Sequence, residues 1–400
     1  MRKTSPVVTT GHANPRSPTS GNTFDAFMTL AQNATTSTIG PLAPVGGILA
    51  ANGTTIGLEQ NTIVFSADTF AAGTSSGSSS SYSANPINMT FAPPPDMAWN
   101  PDVQPLAGGT PPASYNWTTS VSDNAVSQLQ FLLFLDSLFL DFLVKGTINM
   151  TTGSWKNLYP PTIVESMQIM TAQTYVHRYA SSDSLKHYGK PYPAQCHYSY
   201  PVEGIKDWSA TALIILGIET ASIIDIITRA AVTDPWMIPV LSSALGSKAR
   251  MSGLINMIEG NSAAPAARES TMPPELAYSY LMHNYVVPNS CTNALPYNIL
   301  PALRIEAANS DSTGRVTKVN VNDVHSNQLY MAWWGAWGTL TYTPLVNGVA
   351  SVPDNLYGYV WGCVTQYNTA TSVDGLVLAA MTSPDMIWVG GPQNSPDSTI

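Results

Sequence analysis

From Leu129 to Val144 nearly every position is apolar, interrupted only by Gln130, Asp136, Ser137 and Asp141. A stretch that is hydrophobic all round, without period-two alternation, predicts a helix buried in the middle of a bundle. The first helix is expected over Asn124–Val144. Pro160-Pro161 suits a helix start, where proline's missing N–H costs nothing, and the second helix runs to about Ala180. Lys206–Ala231 forms a third. Asp234 as N-cap and Pro235 at the first helical position open a fourth, ending near Gly260. Pro273-Pro274-Glu275 opens a shorter fifth.

Beyond residue 286 the period changes. Tyr297–Glu306, Arg315–Val321, Leu329–Pro344, Leu356–Gln366 and a final segment near Leu376–Val389 are β-branched or aromatic and roughly alternating, which predicts strands. Asn347-Gly348 signals a hairpin, and Pro353-Asp354-Asn355 a further turn. Residues 1–118 are instead rich in Ser, Thr, Gly, Pro and Asn. Thr74–Ser81 is low-complexity and Ala92–Pro95 a stiff spacer. The expected fold class is α+β: an extended arm (1–118), a four-helix bundle (119–285), an antiparallel β-sandwich (286–390) and a tail (391–400).

Composition narrows the function classes. Only 10% of the 400 residues are charged, the net charge is −9, and the sole basic run is Arg2-Lys3. Phosphate binding needs clustered Lys and Arg, so nucleic acid is an unfavoured partner. Low charge with abundant Thr, Asn and Pro is common in extracellular proteins and in subunits of tight assemblies. No uninterrupted apolar run reaches the roughly 18 residues of a membrane span. Leu129–Val144 is broken by Asp136 and Asp141, and Ala210–Ile227 by Glu219 and Asp225. No secretory leader is visible at the N-terminus. N-x-T sequons occur at Asn33, Asn52, Asn88, Asn116 and Asn149, a frequency that chance also gives.

Three cysteines, Cys196, Cys291 and Cys363, show no C-x-x-C spacing, which excludes a zinc ribbon or thioredoxin motif. Cys196–Cys291 is the favoured disulfide, with Cys363 as a buried small hydrophobe. Three reduced thiols are the alternative. Other catalytic signatures are missing. Gly73-Thr-Ser75-Ser-Gly77 fits G-x-S-x-G but lies in a Ser-rich loop without the strand and helix that the motif requires. The six histidines (His12, His177, His187, His197, His283, His325) have no ligand spacing. The aromatic cluster Trp333-Trp334-Gly335-Ala336-Trp337 has two readings. On a strand, Trp333 and Trp337 share a face, which would make a glycan platform or an interface. Alternatively the cluster belongs to the sandwich core and to its contact with the bundle.

Four segments together resemble one family. Asp136-Ser-Leu-Phe139-Leu-Asp141-Phe-Leu is similar to an acid-rich first-helix run. Cys196-His-Tyr198-Ser-Tyr200-Pro201 is similar to a C-x-Y-x-[FY]-P element leading into a third helix with one internal Glu, here Glu219. Lys248-Ala-Arg250 with Ile258-Glu259-Gly260 is similar to an E-A-R…F-E-G fourth helix, and Cys291 to a following loop cysteine. In order and spacing these resemble the fungal stress-response, or desiccation-related, branch of the ferritin-like proteins, over about residues 122–305.

The resemblance implies a two-metal site built from a Glu on each of two helices and E-x-x-H on each of the other two. The matching positions here read Asp136, Gln173 with Val176, Glu219, and Lys248 with Met251. Both histidines and two carboxylates are replaced, so no metal cofactor is expected. A lysine amine repels a dication directly. Lys248 is instead expected to pair with Asp136 and Glu219 in the core. The alternative is a surface lysine and a register off by one, and a slip on the second helix offers His177 only opposite Thr174. The expectation is a non-enzymatic structural or assembly protein, extracellular or at the cell surface, glycosylated and self-associating. A metal-binding ferritin-like oxidoreductase and a glycan-binding module are the alternatives.

Overall fold

A computed structural model describes residues 99–109, 117–193, 196–259, 261–291, 295–307, 315–321 and 328–389. Readings on the Ser-rich arm, the G-x-S-x-G pattern, His12, His325, the tail, and the sequons at Asn33, Asn52, Asn88 and Asn116 lie outside the described residues. So does Gly260.

The longer helices among the described residues are α1 (Asp123–Thr151), α2 (Pro161–His187), α3 (Ile205–Thr233), α4 (Ile238–Ile258) and α5 (Pro274–Asn284), with four-residue helices at Gln104–Ala107 and Val373–Leu376. Pro161 and Pro274 occupy first-turn positions of α2 and α5, where the ring's fixed φ suits a helix start. Asp234 does not cap α4 as its sequence position predicts, because Pro235–Met237 first makes a 3₁₀ turn. Its carboxylate instead accepts from the Ser122 N–H at 3.2 Å and from the Ser122 hydroxyl. Ser122 is itself the N-cap of α1, its Oγ accepting from the Ala125 N–H.

α1 and α2 run antiparallel: Thr147 meets Thr171 near one end, and the Arg178 guanidinium meets Ser137 further along. α1 and α3 are also antiparallel, since Asn124 bonds Thr233 while Phe142 stacks on Trp208 at 5.3 Å. α2 and α3 therefore point the same way, and residues 188–204 must travel the length of the helices. The 27 residues of α2 span about 40 Å, a distance that the connection covers when extended at about 3.3 Å per residue. Gly146 lets the α1–α3 contact close, because a Cβ there would lie 2.1 Å from Trp208 Nε1.

Two antiparallel sheets follow, of strand order β1-β2-β5 and β4-β3-β6-β7. The strands are β1 (Leu303–Ala307), β2 (Val316–Val321), β3 (Leu329–Trp334), β4 (Thr341–Leu345), β5 (Val349–Ser351), β6 (Gly358–Thr365) and β7 (Asp385–Val389). The stretch expected as one strand over Leu329–Pro344 is a hairpin, with Trp333 paired to Thr341. Residues 297–302 are not strand, and only the last five residues of Leu376–Val389 are. Asn347 and Gly348 adopt positive φ, and the chain bridges Val346 to Val349 around them. β4 and β5 then part into different sheets.

The four-stranded sheet is covered on both faces. Met331, Trp333, Val360 and Val364 join the core shared with β1, β2 and β5. Ala332, Trp334, Trp361 and Cys363 join the core of the helices. Strands with both faces buried read as continuous apolar runs. The boundary expected near residue 285 is therefore no break in the core, and the described residues fall in one compact unit. Arg229 on α3 reinforces the join, with Nη atoms 2.9 Å from Glu275 on α5 and 2.8 Å from Asp374 in the four-residue helix Val373–Leu376. The end of the expected arm also packs down: Trp99 lies against Tyr175 and Tyr179, and the Asn100 N–H donates to the Tyr175 hydroxyl.

Among the described residues only α3 is long and apolar enough to cross a membrane, and most of that helix is buried within the fold. No clear membrane span follows.

Candidate functional site

Three helices each deliver one ionisable side chain to a single point. Asp136 comes from the middle of α1, Glu219 from the middle of α3, and Lys248 from α4. Lys248 Nζ donates to Asp136 Oδ1 at 2.8 Å and lies 2.8 Å from Glu219 Oε2. The side chains are 2%, 5% and 0% exposed for Lys248, Asp136 and Glu219. The Phe139 ring stands 5.7 Å from the ammonium. Such groups are tolerated in an interior only when they neutralise one another, because desolvating an isolated ion costs several kcal/mol.

The electrostatics follow from burial against charge. Burial raises the Asp136 carboxyl, with Lys248 pulling the other way. Glu219 is pushed up to about 8 by burial; Lys248 opposes the rise and Asp136 adds to it. Lys248 would be lowered by burial, but Asp136 and Glu219 together raise it. The ammonium is thus held between two buried acids and offsets their charge in a low-dielectric site.

α2 contributes differently from the E-x-x-H pattern. Gln173 accepts from the Ser247 hydroxyl at 3.1 Å, which joins α2 to α4 beside Lys248. Val176 is half-buried and Met251 is buried, and neither carries a dication ligand of the expected kind. His177 Nδ1 is sealed from solvent and has no hydrogen-bond partner among the described residues. Burial and the nearby Lys248 push its pKa down to about 3. Arg178, which the sequence reading did not single out, is 2% exposed, donates from Nε to Ser137 Oγ at 3.0 Å and acts electrostatically on Asp136. Its signal in the sequence is a lone arginine within a helix that is otherwise poor in charge.

The residues do not fit a metal pair. Among the described residues no group of three or more His, Cys, Asp and Glu side chains is arranged to hold an ion. The space between Asp136 and Glu219 belongs to the Lys248 ammonium.

The remaining candidates disperse. Trp333 and Trp334 are fully buried, donating to Thr343 Oγ1 at 2.7 Å and to the Thr271 carbonyl at 3.0 Å. Trp337 is 63% exposed, beneath the Arg268 guanidinium at 5.0 Å. The expected shared face of Trp333 and Trp337 is corrected on that ground: β3 ends at Trp334 and the chain turns before Trp337, so no face holds Trp333 and Trp337 together. Asn149 lies half-buried in the last turn of α1. Cys196 and Cys291 are disulfide-bonded, tying the long α2–α3 connection to the segment after α5, and Cys363 is a buried free thiol.

No protein-family model matches the chain, and no curated protein is detectably similar to it.

Proposed function

We propose that this chain is a non-enzymatic structural or assembly-forming protein, built on a ferritin-like bundle in which Lys248 takes the place of a metal pair. The observation that carries the reading is the convergence of Lys248 on Asp136 and Glu219 at 2.8 Å each. These positions come from three different helices, and the resemblance assigns all three to a metal site. Connectivity supports it as well: the Ser209 hydroxyl at the start of α3 donates to Glu259 at the end of α4, so these two are antiparallel, and two antiparallel helix pairs joined by one long crossover is the ferritin-like arrangement. The Cys196–Cys291 disulfide supports an oxidising, extracellular setting. Low charge favours self-association.

Elemental analysis by plasma mass spectrometry tests the central claim, after incubation with iron, manganese and zinc and then desalting. Background levels of all three metals are expected. Near-stoichiometric metal would overturn the reading in favour of a ferritin-like oxidoreductase. Sedimentation at increasing concentration tests the assembly half, and a monomer at every concentration would remove it.

A further inference from the structure

We propose that Lys248 and Asp136 are joined by an intramolecular isopeptide bond, formed with Glu219 as the acid–base group. The amine and the carboxyl are already in contact, with Nζ 2.8 Å from Asp136 Oδ1, and Glu219 Oε2 lies 2.8 Å from the same nitrogen. All three side chains are enclosed, none more than 5% exposed. The nitrogen touches an oxygen on the carbon it would attack, and from such a start a near-attack geometry held by the fold is worth effective concentrations of roughly 10⁵ M or more. Burial removes the hydration that normally stabilises an ammonium–carboxylate pair against condensation.

The chemistry balances without any outside reagent. An ammonium proton passes through Glu219, freeing the Lys248 lone pair, which attacks Cγ of Asp136. The new N–C bond forms as a tetrahedral centre. Glu219 returns a proton to one of the two oxygens on Cγ, the Cγ–O bond breaks, and that oxygen leaves as water with two of the three ammonium hydrogens. The amide keeps the third. No atom changes oxidation state, and Glu219 ends as it began.

The bond would staple α1 to α4 across 112 residues of sequence. It would give a structural protein a cross-link that reduction cannot open, in addition to the Cys196–Cys291 bridge. It requires only the three side chains, so it is independent of whether the bundle is ferritin-like or metal-free.

The test is peptide mapping of the purified full-length chain, denatured, reduced and digested with trypsin and chymotrypsin. A branched peptide carrying both Asp136 and Lys248 is expected, lighter by one water than its two linear parts, with no tryptic cleavage after Lys248. Glu219→Gln should abolish the branch while circular dichroism keeps the wild-type helix signal. Two linear peptides and cleavage after Lys248 in the wild-type chain would overturn the proposal, even if the variant failed to fold. An undiminished branch in folded Glu219→Gln would overturn the role of Glu219. Neither outcome bears on metal content, so failure here is distinguishable from failure of the scaffold reading.

Discussion

Lys248 Nζ and Asp136 Oδ1 lie 2.8 Å apart although 112 residues separate them in the chain. The contact explains how α1, otherwise wrapped in leucine and phenylalanine, keeps a carboxylate at its centre. It also makes the site sensitive to the loss of one partner and tolerant of losing all of them. A buried ion left alone bears its full desolvation cost, whereas an apolar replacement of the whole set bears none.

Lys248→Met alone is expected to destabilise the fold by about 3–5 kcal/mol, because Asp136 and Glu219 are left facing each other without a cation. Combining it with Asp136→Leu and Glu219→Leu should recover the electrostatic part of that loss, leaving only what the Lys248–Asp136 cross-link adds. Urea unfolding followed by circular dichroism checks both. A triple variant no better than the single one would mean the triad is not an isolated electrostatic unit.

Acid stability should carry the signature of His177. Its pKa falls from an ordinary 6.5 to about 3 in the folded chain, so between those values the unfolded chain binds a proton that the folded chain refuses. The contribution is complete above about pH 6.5 and is lost as pH drops toward 3. Asp225 and Asp385, both pushed up to about 6 by burial, act in the opposite sense: they stabilise below their ordinary range and lose that contribution as pH rises through about 6. His177→Gln separates the effects. Its stability should fall less than wild type between pH 7 and pH 4, by about 1–3 kcal/mol, and equal losses would refute the assignment.

Gly146→Ala is expected to cost about 1–3 kcal/mol through overpacking, since the new methyl would fall 2.1 Å from Trp208 Nε1. Trp208→Leu in the same chain should relieve part of the loss. Thermal melts of the single and double variants measure the coupling.

Alkylation distinguishes the cysteines. The native, unreduced chain should take up no iodoacetamide, because Cys363 is buried and burial pushes its thiol pKa up. One adduct should appear after denaturation without reductant, and three after reduction. Replacing Cys196 and Cys291 by Ser opens a link across 95 residues and should lower stability by about 2–5 kcal/mol. Rapid native labelling of one thiol would contradict the burial of Cys363.

The existence of α1 to α5 and of the later strands was legible in the chain. Apolar runs set the helices, prolines marked the starts of α2 and α5, and β-branched alternation marked β2 and β6. These are local signals, fixed by backbone sterics and by the need of each element to hide one face. What tertiary structure decided was everything that depends on distant partners. The helix of expected reach Asn124–Val144 extends to Thr151 because its end packs on α2 and α3. Between the two readings of the tryptophans, the structure puts Trp333 in the sandwich core and Trp334 in its contact with the helices, because the helices cover one face of their sheet and β1, β2 and β5 the other. Asp234 turned from capping α4 to holding Ser122, and Arg178 entered the neighbourhood of Asp136, because a side chain's partner is chosen by whichever helix lies opposite. The sequence by itself determined that Asp136, Glu219 and Lys248 sit on separate apolar helices. That Lys248 meets Asp136 and Glu219 was expected from the resemblance, but only the packing of those helices placed its ammonium 2.8 Å from each acid, since hydrophobic burial sets each helix's inward face and charge neutralisation selects the arrangement in which the buried ions meet.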